Sequence, residues 1–121
     1  MKLHQATGEG QNLFTGYGDD HVQINRERHD GSLIVTPDAI LAWDVVRFEE
    51  LDEHHFQGLL DHHPEVVILG TGATQRFPHP RLSAALAAAG VGMEVMDTRA
   101  ACRTYNILLA EGRKVIAAIL A

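Results

Sequence analysis

The apolar and polar positions of this 121-residue chain are arranged differently in its two halves. Residues 66–69 form an unbroken apolar run, mostly β-branched, which predicts a strand buried on both faces. Residues 80–89 predict an Ala-rich helix, with Pro80 near its first turn and Gly90 just past its end. Residues 93–96 predict the next strand. Strand, helix and strand of these lengths predict a βαβ unit with two parallel strands and a right-handed crossover.

A second helix and a last strand complete this α/β part. The helix is predicted over residues 98–110, with Asp97 or Thr98 as its N-cap, and Gly112 ends it. The strand is predicted over residues 114–119. The expected core contains Val67, Ile68, Leu69, Leu86, Val95 and Leu108.

The first half of the chain predicts antiparallel strands. Residues 21–25 alternate polar and apolar with period two, and Gly18-Asp19-Asp20 before them predict a hairpin turn. The strands predicted here cover residues 14–17, 21–25, 32–36 and 39–46, and residues 2–5 either add an edge strand or remain loose. A helix follows from residue 51 or 52 to about residue 62, with Asp52 as its N-cap candidate. The fold class is therefore α/β, and the two parts either share one sheet or pack as two layers.

Composition narrows the function classes. The length suits one domain over residues 1–121. The net charge of −6 and the pI near 5.7 argue against a nucleic-acid partner. The single cysteine, Cys102, allows no internal disulfide. No signal peptide and no run of about 20 apolar residues is found, so we expect a cytoplasmic protein without a membrane span.

Two loops are candidates for a binding site. Gly70, Thr71 and Gly72 follow the first parallel strand, and Asp97, Thr98 and Arg99 follow the second. The carboxyl ends of parallel strands meet at one edge, where ligands of open α/β sheets bind. With Arg76 nearby, these residues could form a positively charged hollow for a small anion. The alternatives are a tight strand exit for the glycines and a simple helix cap for Asp97.

Other chemistry is poorly supported by the sequence. A dinucleotide fingerprint needs a third glycine where Gln75 stands. Cys102 is expected to be a buried core residue, because no base accompanies it. Histidines flank the helix at 51–62 without metal-ligand spacing, so we expect a solvated face or helix terminus there. Asn106 is expected to hydrogen-bond a neighbouring strand or the Gly70 loop. We therefore expect no catalytic residues, no metal and no cofactor.

Several segments together resemble a known family. PEVVILGTGATQRFPHP (64–80), GMEVMDTRAACRTYN (92–106) and EGRKVIAAIL (111–120) resemble the Mth938-like domain family, as do GYG (16–18) and GSLIVTP (31–37). That family includes a mitochondrial respiratory complex I assembly factor and an adipogenesis-associated protein. The resemblance implies a three-layer β + α/β fold with a central mixed sheet and a C-terminal βαβ-α-β unit. It implies no established enzymatic activity and no agreed catalytic residues. The matching motif positions are Gly70, Thr71, Gly72, Asp97, Thr98, Arg99, Tyr105 and Asn106.

Two functions follow as hypotheses. The first is a non-enzymatic accessory or interaction domain that assists protein-complex assembly and has a protein partner. The second is a binding module, or an unrecognised enzyme, for a small anionic ligand at the Gly70 and Thr98 loops. For the second, the ligand-binding residues are the eight motif positions together with Arg76. In either case we expect a monomer or a weak homodimer.

Overall fold

The computed structural model describes residues 10–121, so the strand predicted at residues 2–5 lies outside the described part. Within residues 10–121 the chain forms eight strands, three α-helices and three short 3₁₀ helices. The strands are β1 (Phe14–Tyr17), β2 (Val22–Ile24), β3 (Glu27–His29), β4 (Leu33–Val35), β5 (Ile40–Ala42), β6 (Val66–Gly70), β7 (Gly92–Met96) and β8 (Val115–Ile119). The helices are α1 (Glu53–Gln57), α2 (Ala84–Ala88) and α3 (Thr98–Ala110), and the 3₁₀ helices are Phe48–Glu50, Gly58–His62 and Pro80–Ser83.

The main sheet has five strands in the order β5-β4-β8-β6-β7. The strands β6, β7 and β8 are parallel, whereas β4 runs antiparallel to both β8 and β5. Leu69 is paired with Val95 on one side and with Ala118 on the other. The βαβ unit is therefore confirmed, and the two halves of the chain share one mixed sheet through β4 and β8.

A smaller antiparallel sheet has the order β1-β2-β3. Its first two strands form the predicted hairpin, with Tyr17 opposite Val22. The strand β3 was not predicted, because Glu27, Arg28 and His29 lack the apolar alternation of a half-buried strand. It forms because β2 supplies the ladder partners.

The molecule has three layers, with the five-stranded sheet in the centre. On one face, α3 and the small sheet bury Tyr105, Ile24 and Ile68 in one apolar cluster. On the other face, Phe56 and Leu86 pack against Leu69 in a second cluster. Every residue of β6 and β8 is buried, as strands covered on both faces require. The predicted three-layer α/β fold with a central mixed sheet is confirmed.

Several predicted elements are shorter or less regular than expected. The helix predicted at 80–89 divides into the 3₁₀ helix Pro80–Ser83 and α2. The helix predicted at 51–62 divides into α1, capped by Asp52, and the 3₁₀ helix Gly58–His62. The strand predicted at 39–46 is only Ile40–Ala42; Trp43 N–H still donates to Ser32 O at 2.9 Å, and the Trp43 ring packs against Phe56 at a centroid distance of 6.2 Å.

The predicted core residues differ in how deeply they are buried. Val67, Ile68, Leu69 and Leu86 are fully buried, as predicted. Val95 and Leu108 are only half-buried and pack against the edges of the two clusters. Val95 lies on β7, which has a strand neighbour on one side only, so its side chain keeps contact with solvent.

Candidate functional site

The exits of β6 and β7 lie side by side. The two strands are parallel and Gly70 is paired with Met96, so the loops that follow them leave the same edge of the sheet. Backbone hydrogen bonds join the loops: Thr71 N–H donates to Met96 O at 2.9 Å, and Thr98 N–H donates to Gly72 O at 2.9 Å. Gly72 N–H donates to the Thr98 hydroxyl oxygen at 3.0 Å. These N–H groups are therefore paired within the protein and are not free to bind an anion.

A cleft of about 400 Å³ opens beside these exits. Four of the predicted binding residues line it, namely Gly72, Asp97, Thr98 and Arg99. The tip of the β1–β2 hairpin, residues 18–22, forms a second wall, and the segment after β8 forms a third. The hairpin residues were missed at the sequence level, because about 80 positions separate Asp19 from Arg99 and no local pattern joins them.

The cleft carries charges of both signs, so it is not the positively charged hollow that was expected. The Arg99 guanidinium pairs with the Asp19 carboxylate at 3.2 Å and lies 5.5 Å from the centroid of the Tyr17 ring. His21 Nδ1 lies 3.0 Å from the Asp20 carboxylate. The hydrogen bond with His21, and then the charge of Arg28, lower the pKa of Asp20.

Gly70, Thr71 and Asp97 have structural roles at this edge. A Cβ on Gly70 would lie 2.8 Å from Ile119 Cδ1, so the glycine permits close packing of the strand. The Thr71 hydroxyl donates to Thr74 O at 2.7 Å and accepts from the backbone N–H of Arg76 at 3.1 Å, which fixes the loop. The Asp97 carboxylate accepts from the backbone N–H of Ala100 at 2.9 Å and caps α3, as one of the alternatives predicted.

Arg76 points away from the cleft. Its guanidinium pairs with the Glu49 carboxylate at 2.9 Å and stacks 4.2 Å from the centroid of the Phe48 ring. This hydrogen bond is the main cause of the lowered pKa of Glu49. The structure therefore does not bring Arg76 together with Thr98 and Arg99.

Tyr105 and Asn106 also lie outside the cleft and connect α3 to the small sheet. The Tyr105 hydroxyl donates to Asn12 O at 3.2 Å, and its ring packs edge-on against Phe14 at 5.2 Å. The Asn106 side chain accepts from Phe14 N–H at 3.0 Å and donates to Phe14 O at 2.7 Å. The predicted hydrogen bond from Asn106 to a neighbouring strand is confirmed.

The remaining reactive side chains serve packing and capping. Cys102 is buried, and desolvation raises the pKa of its thiol to about 12. His55 is buried rather than solvated: its Nδ1 accepts from Asp52 N–H at 2.9 Å and its Nε2 lies 2.8 Å from Asp44 O. Within residues 10–121, no group of three or more His, Cys, Asp or Glu side chains is arranged to hold a metal ion.

Solved structures share this architecture. A crystal structure of a protein from Bordetella parapertussis has a TM-score of 0.87 and 39% identity, covering 92% of this chain and 96% of its own. A solution structure from Bordetella pertussis, described as a Mth938-like domain, has a TM-score of 0.82 and 34% identity, covering 99% of this chain and 92% of its own. The class of protein is thus a three-layer α/β domain of Mth938-like architecture.

The family model for a protein of unknown function, DUF498/DUF598, matches residues 14–120, and the chain belongs to that family. A curated relative is the mouse protein "NADH dehydrogenase [ubiquinone] 1 alpha subcomplex assembly factor 3", which is 33% identical over 74% of this chain. The chain covers 50% of that relative's length. No helix within residues 10–121 combines the length and the apolar character that crossing a bilayer needs.

Proposed function

We propose that this protein is a non-enzymatic accessory domain that assists the assembly of a protein complex through protein contacts. The observation that carries the proposal is the similarity to a curated assembly factor over most of the chain. Because the chain spans about half the length of that relative, the assembly role is a proposal for this chain. A cytoplasmic location and a monomeric or weakly dimeric state are parts of the same hypothesis.

The distribution of polar groups supports a contact role. At the edge where a ligand site was expected, Arg99 is ion-paired with Asp19 and Asp97 caps α3. Cys102 is buried with a raised pKa, which disfavours a nucleophilic thiolate. These residues are engaged in structure and are poorly placed to act as acids, bases or nucleophiles.

Two exposed apolar side chains lie on chain segments that contact each other, which favours a role in protein contacts. Phe77 is 70% exposed and Val46 is 65% exposed. The segments that carry them are joined, because Arg76 pairs with Glu49 and stacks on Phe48. Aromatic side chains on a fixed backbone are common anchors of protein interfaces.

A co-purification experiment with a matched control tests the proposal. The tagged protein is cross-linked in cells that contain it naturally, and the captured proteins are identified by mass spectrometry. We expect one reproducible partner, and we expect Phe77→Ser to reduce its recovery. Ile107→Ser is the control, because Ile107 is an apolar residue that is 58% exposed on α3. If the wild-type protein repeatedly captures nothing, the assembly proposal fails.

A small anionic ligand at the Gly70 and Thr98 loops is the second candidate. The cleft of about 400 Å³ beside the helix N-terminus favours it. A thermal-shift screen with phosphate, nucleotides and carboxylates should raise the melting temperature, and Arg99→Ala should abolish the effect. Asp19→Asn should strengthen it, because this change releases Arg99 from its ion pair. If no compound in the screen raises the melting temperature, this candidate is rejected.

A further inference from the structure

The strand β7 forms one edge of the five-stranded sheet. Gly92 N–H donates to Glu65 O at 3.3 Å, and Met96 O accepts from Thr71 N–H at 2.9 Å, so these two residues bond towards β6. Backbone groups of a strand alternate in direction, so those of Met93 and Val95 point outward. Within the described residues 10–121, no other strand pairs with this outer side.

One side chain already occupies part of the outer edge. The Gln75 amide nitrogen donates to Val95 O at 2.8 Å. An amide N–H donor at this carbonyl has the chemistry and the position of a backbone N–H from a neighbouring strand. The contact therefore marks where the first hydrogen bond of an added strand would form. The outward N–H groups of Met93 and Val95 and the carbonyl of Met93 continue the same row.

Glu94 is the one charged residue within Gly92–Met96, and most other features that usually prevent strand addition are missing from this segment. Within Gly92–Met96 there is no proline, no lysine and no bulge, and the pairing with β6 is regular over five positions. Met93 and Val95 are half-buried apolar side chains that an added strand would cover. The opposite edge strand β5 has only three residues, and very short edge strands are poor templates.

We propose that the β7 edge binds an extended segment of a partner protein, with a lysine or arginine opposite Glu94 and apolar residues on either side of it. The inference rests on the proposed function, which requires a protein partner. Glu94 is exposed and lies between the two outward-facing positions. A cationic side chain directly across from it would be favourable, because opposite charges at facing strand positions attract.

Pairing of β7 with a second copy of this chain is disfavoured by the same residue. An antiparallel pair that uses the outward groups of Met93 and Val95 in both copies places Glu94 directly opposite Glu94 of the other copy. Like charges at facing positions destabilise a strand pair. The charge of Glu94 thus favours pairing with a basic segment of another protein over pairing with a second copy of this chain.

A peptide-binding measurement tests this surface on the purified protein. The probe is a fluorescein-labelled, capped octapeptide in which lysine alternates with valine, and the comparison peptide carries glutamate in place of lysine. Fluorescence anisotropy should show binding of the lysine peptide to the wild-type protein. Glu94→Lys should reverse the preference between the two peptides, by about tenfold in each direction. Glu111→Lys, an equal change of charge at an exposed position after α3, should leave the preference unchanged.

Two further variants examine the backbone contacts. Val95→Pro removes an outward N–H that takes no part in pairing with β6, so the sheet should persist while peptide affinity falls at least about tenfold. Gln75→Ala should increase affinity, because the peptide no longer displaces the amide from Val95 O. Amide hydrogen exchange should slow at Met93 and Val95 when the peptide binds, with little change at Glu94. A circular dichroism melt confirms that each variant is folded.

The results of these experiments distinguish failure of the β7 proposal from failure of the proposed assembly function. Failure of the wild-type protein to bind either peptide, or an unchanged preference in folded Glu94→Lys, overturns the β7 proposal. The β7 proposal is also overturned if the peptide slows hydrogen exchange at amides elsewhere and not at Met93 and Val95. If folded Glu94→Lys and Val95→Pro still capture the cellular partner normally, the assembly role stands and the β7 surface is rejected.

Discussion

Asn106 connects α3 to the first strand of the small sheet through one side chain. Its amide satisfies both the N–H and the C=O of Phe14, at 3.0 and 2.7 Å. An asparagine is a mediocre residue inside a helix, so this pair of contacts accounts for its presence. The nearby Tyr105 hydroxyl makes a similar contact with Asn12 O. These two neighbours on α3 are therefore positioning residues of the fold.

We predict that Asn106→Ala lowers the free energy of unfolding by about 2–6 kcal/mol. The change leaves two partly buried backbone groups of Phe14 without partners, each at a cost of about 1–3 kcal/mol. Urea denaturation measures the loss. Ile107→Ala on the same helix is the control and should change stability by less than about 0.5 kcal/mol, because Ile107 is exposed. Equal stability of the two variants would contradict the assigned role of Asn106.

Cys102 should make the stability of the protein fall at high pH. Desolvation raises the pKa of the folded thiol from 9.0 to about 12. The stability that the protonated thiol contributes is therefore fully present below pH 9 and is lost as the pH rises towards 12, by about 1.4 kcal/mol per pH unit. Burial raises the pKa of Tyr105 in the same direction. Urea denaturation from pH 8 to pH 11 should show a smaller loss in Cys102→Ala than in wild type, and an identical pH profile would contradict this.

At the scale of the elements, the strand β6 decides where α3 and the loops can lie. It is buried along its whole length and is paired in parallel with both β7 and β8. Its last residue, Gly70, lies close to Ala101 of α3 and to Ile119 of β8. The sequence pattern is compatible with either an anion-binding loop or a tight strand exit at this glycine. Its position against Ile119 and Ala101 favours the packing explanation.

We predict that Gly70→Ala destabilises the protein by about 1–3 kcal/mol through overpacking. The added Cβ would lie 2.8 Å from Ile119 Cδ1 and 3.1 Å from Ala101 Cβ. Ile119→Val removes the nearer atom, so the double variant should lose less than the sum of the single variants in a double-mutant cycle. Strict additivity in urea denaturation would mean that Ile119 is not the obstacle.

At the scale of the whole molecule, the two sheets should differ in local stability. The strands β1, β2 and β3 are short, and β3 is largely exposed. The strands β6 and β8 are central and covered on both faces. Side-chain contacts from α3, such as those of Asn106 and Arg99, tie the small sheet to the rest.

Native-state hydrogen exchange should therefore show two levels of protection. We expect paired amides of β2 to exchange through partial opening of the small sheet, and those of β6 and β8 only on global unfolding. The measurement is a series of exchange experiments followed by NMR at increasing, sub-denaturing urea. Equal protection of Ile24 and Ile68 at every urea concentration would indicate one cooperative unit instead.

The sequence by itself determined the α/β part of this protein. The apolar, β-branched run at residues 66–69, closed by a glycine, favours a strand covered on both faces, and the boundaries of α3 follow from Asp97 as its cap and Gly112 beyond its end. The motif segments also determined the family, because the resemblance covers both loops and the last strand. These features depend on local patterns, which a single chain displays along its length.

Only the tertiary structure decided the partners of the polar side chains. The sequence grouped Arg76, Tyr105 and Asn106 with the Gly70 and Thr98 loops, yet Arg76 pairs with Glu49 and Asn106 binds Phe14. The sequence also could not show that the β1–β2 hairpin brings Asp19 to Arg99, so that the cleft carries charges of both signs. Contacts between residues 27 to 92 positions apart leave no periodic signal, because they depend on how the layers pack.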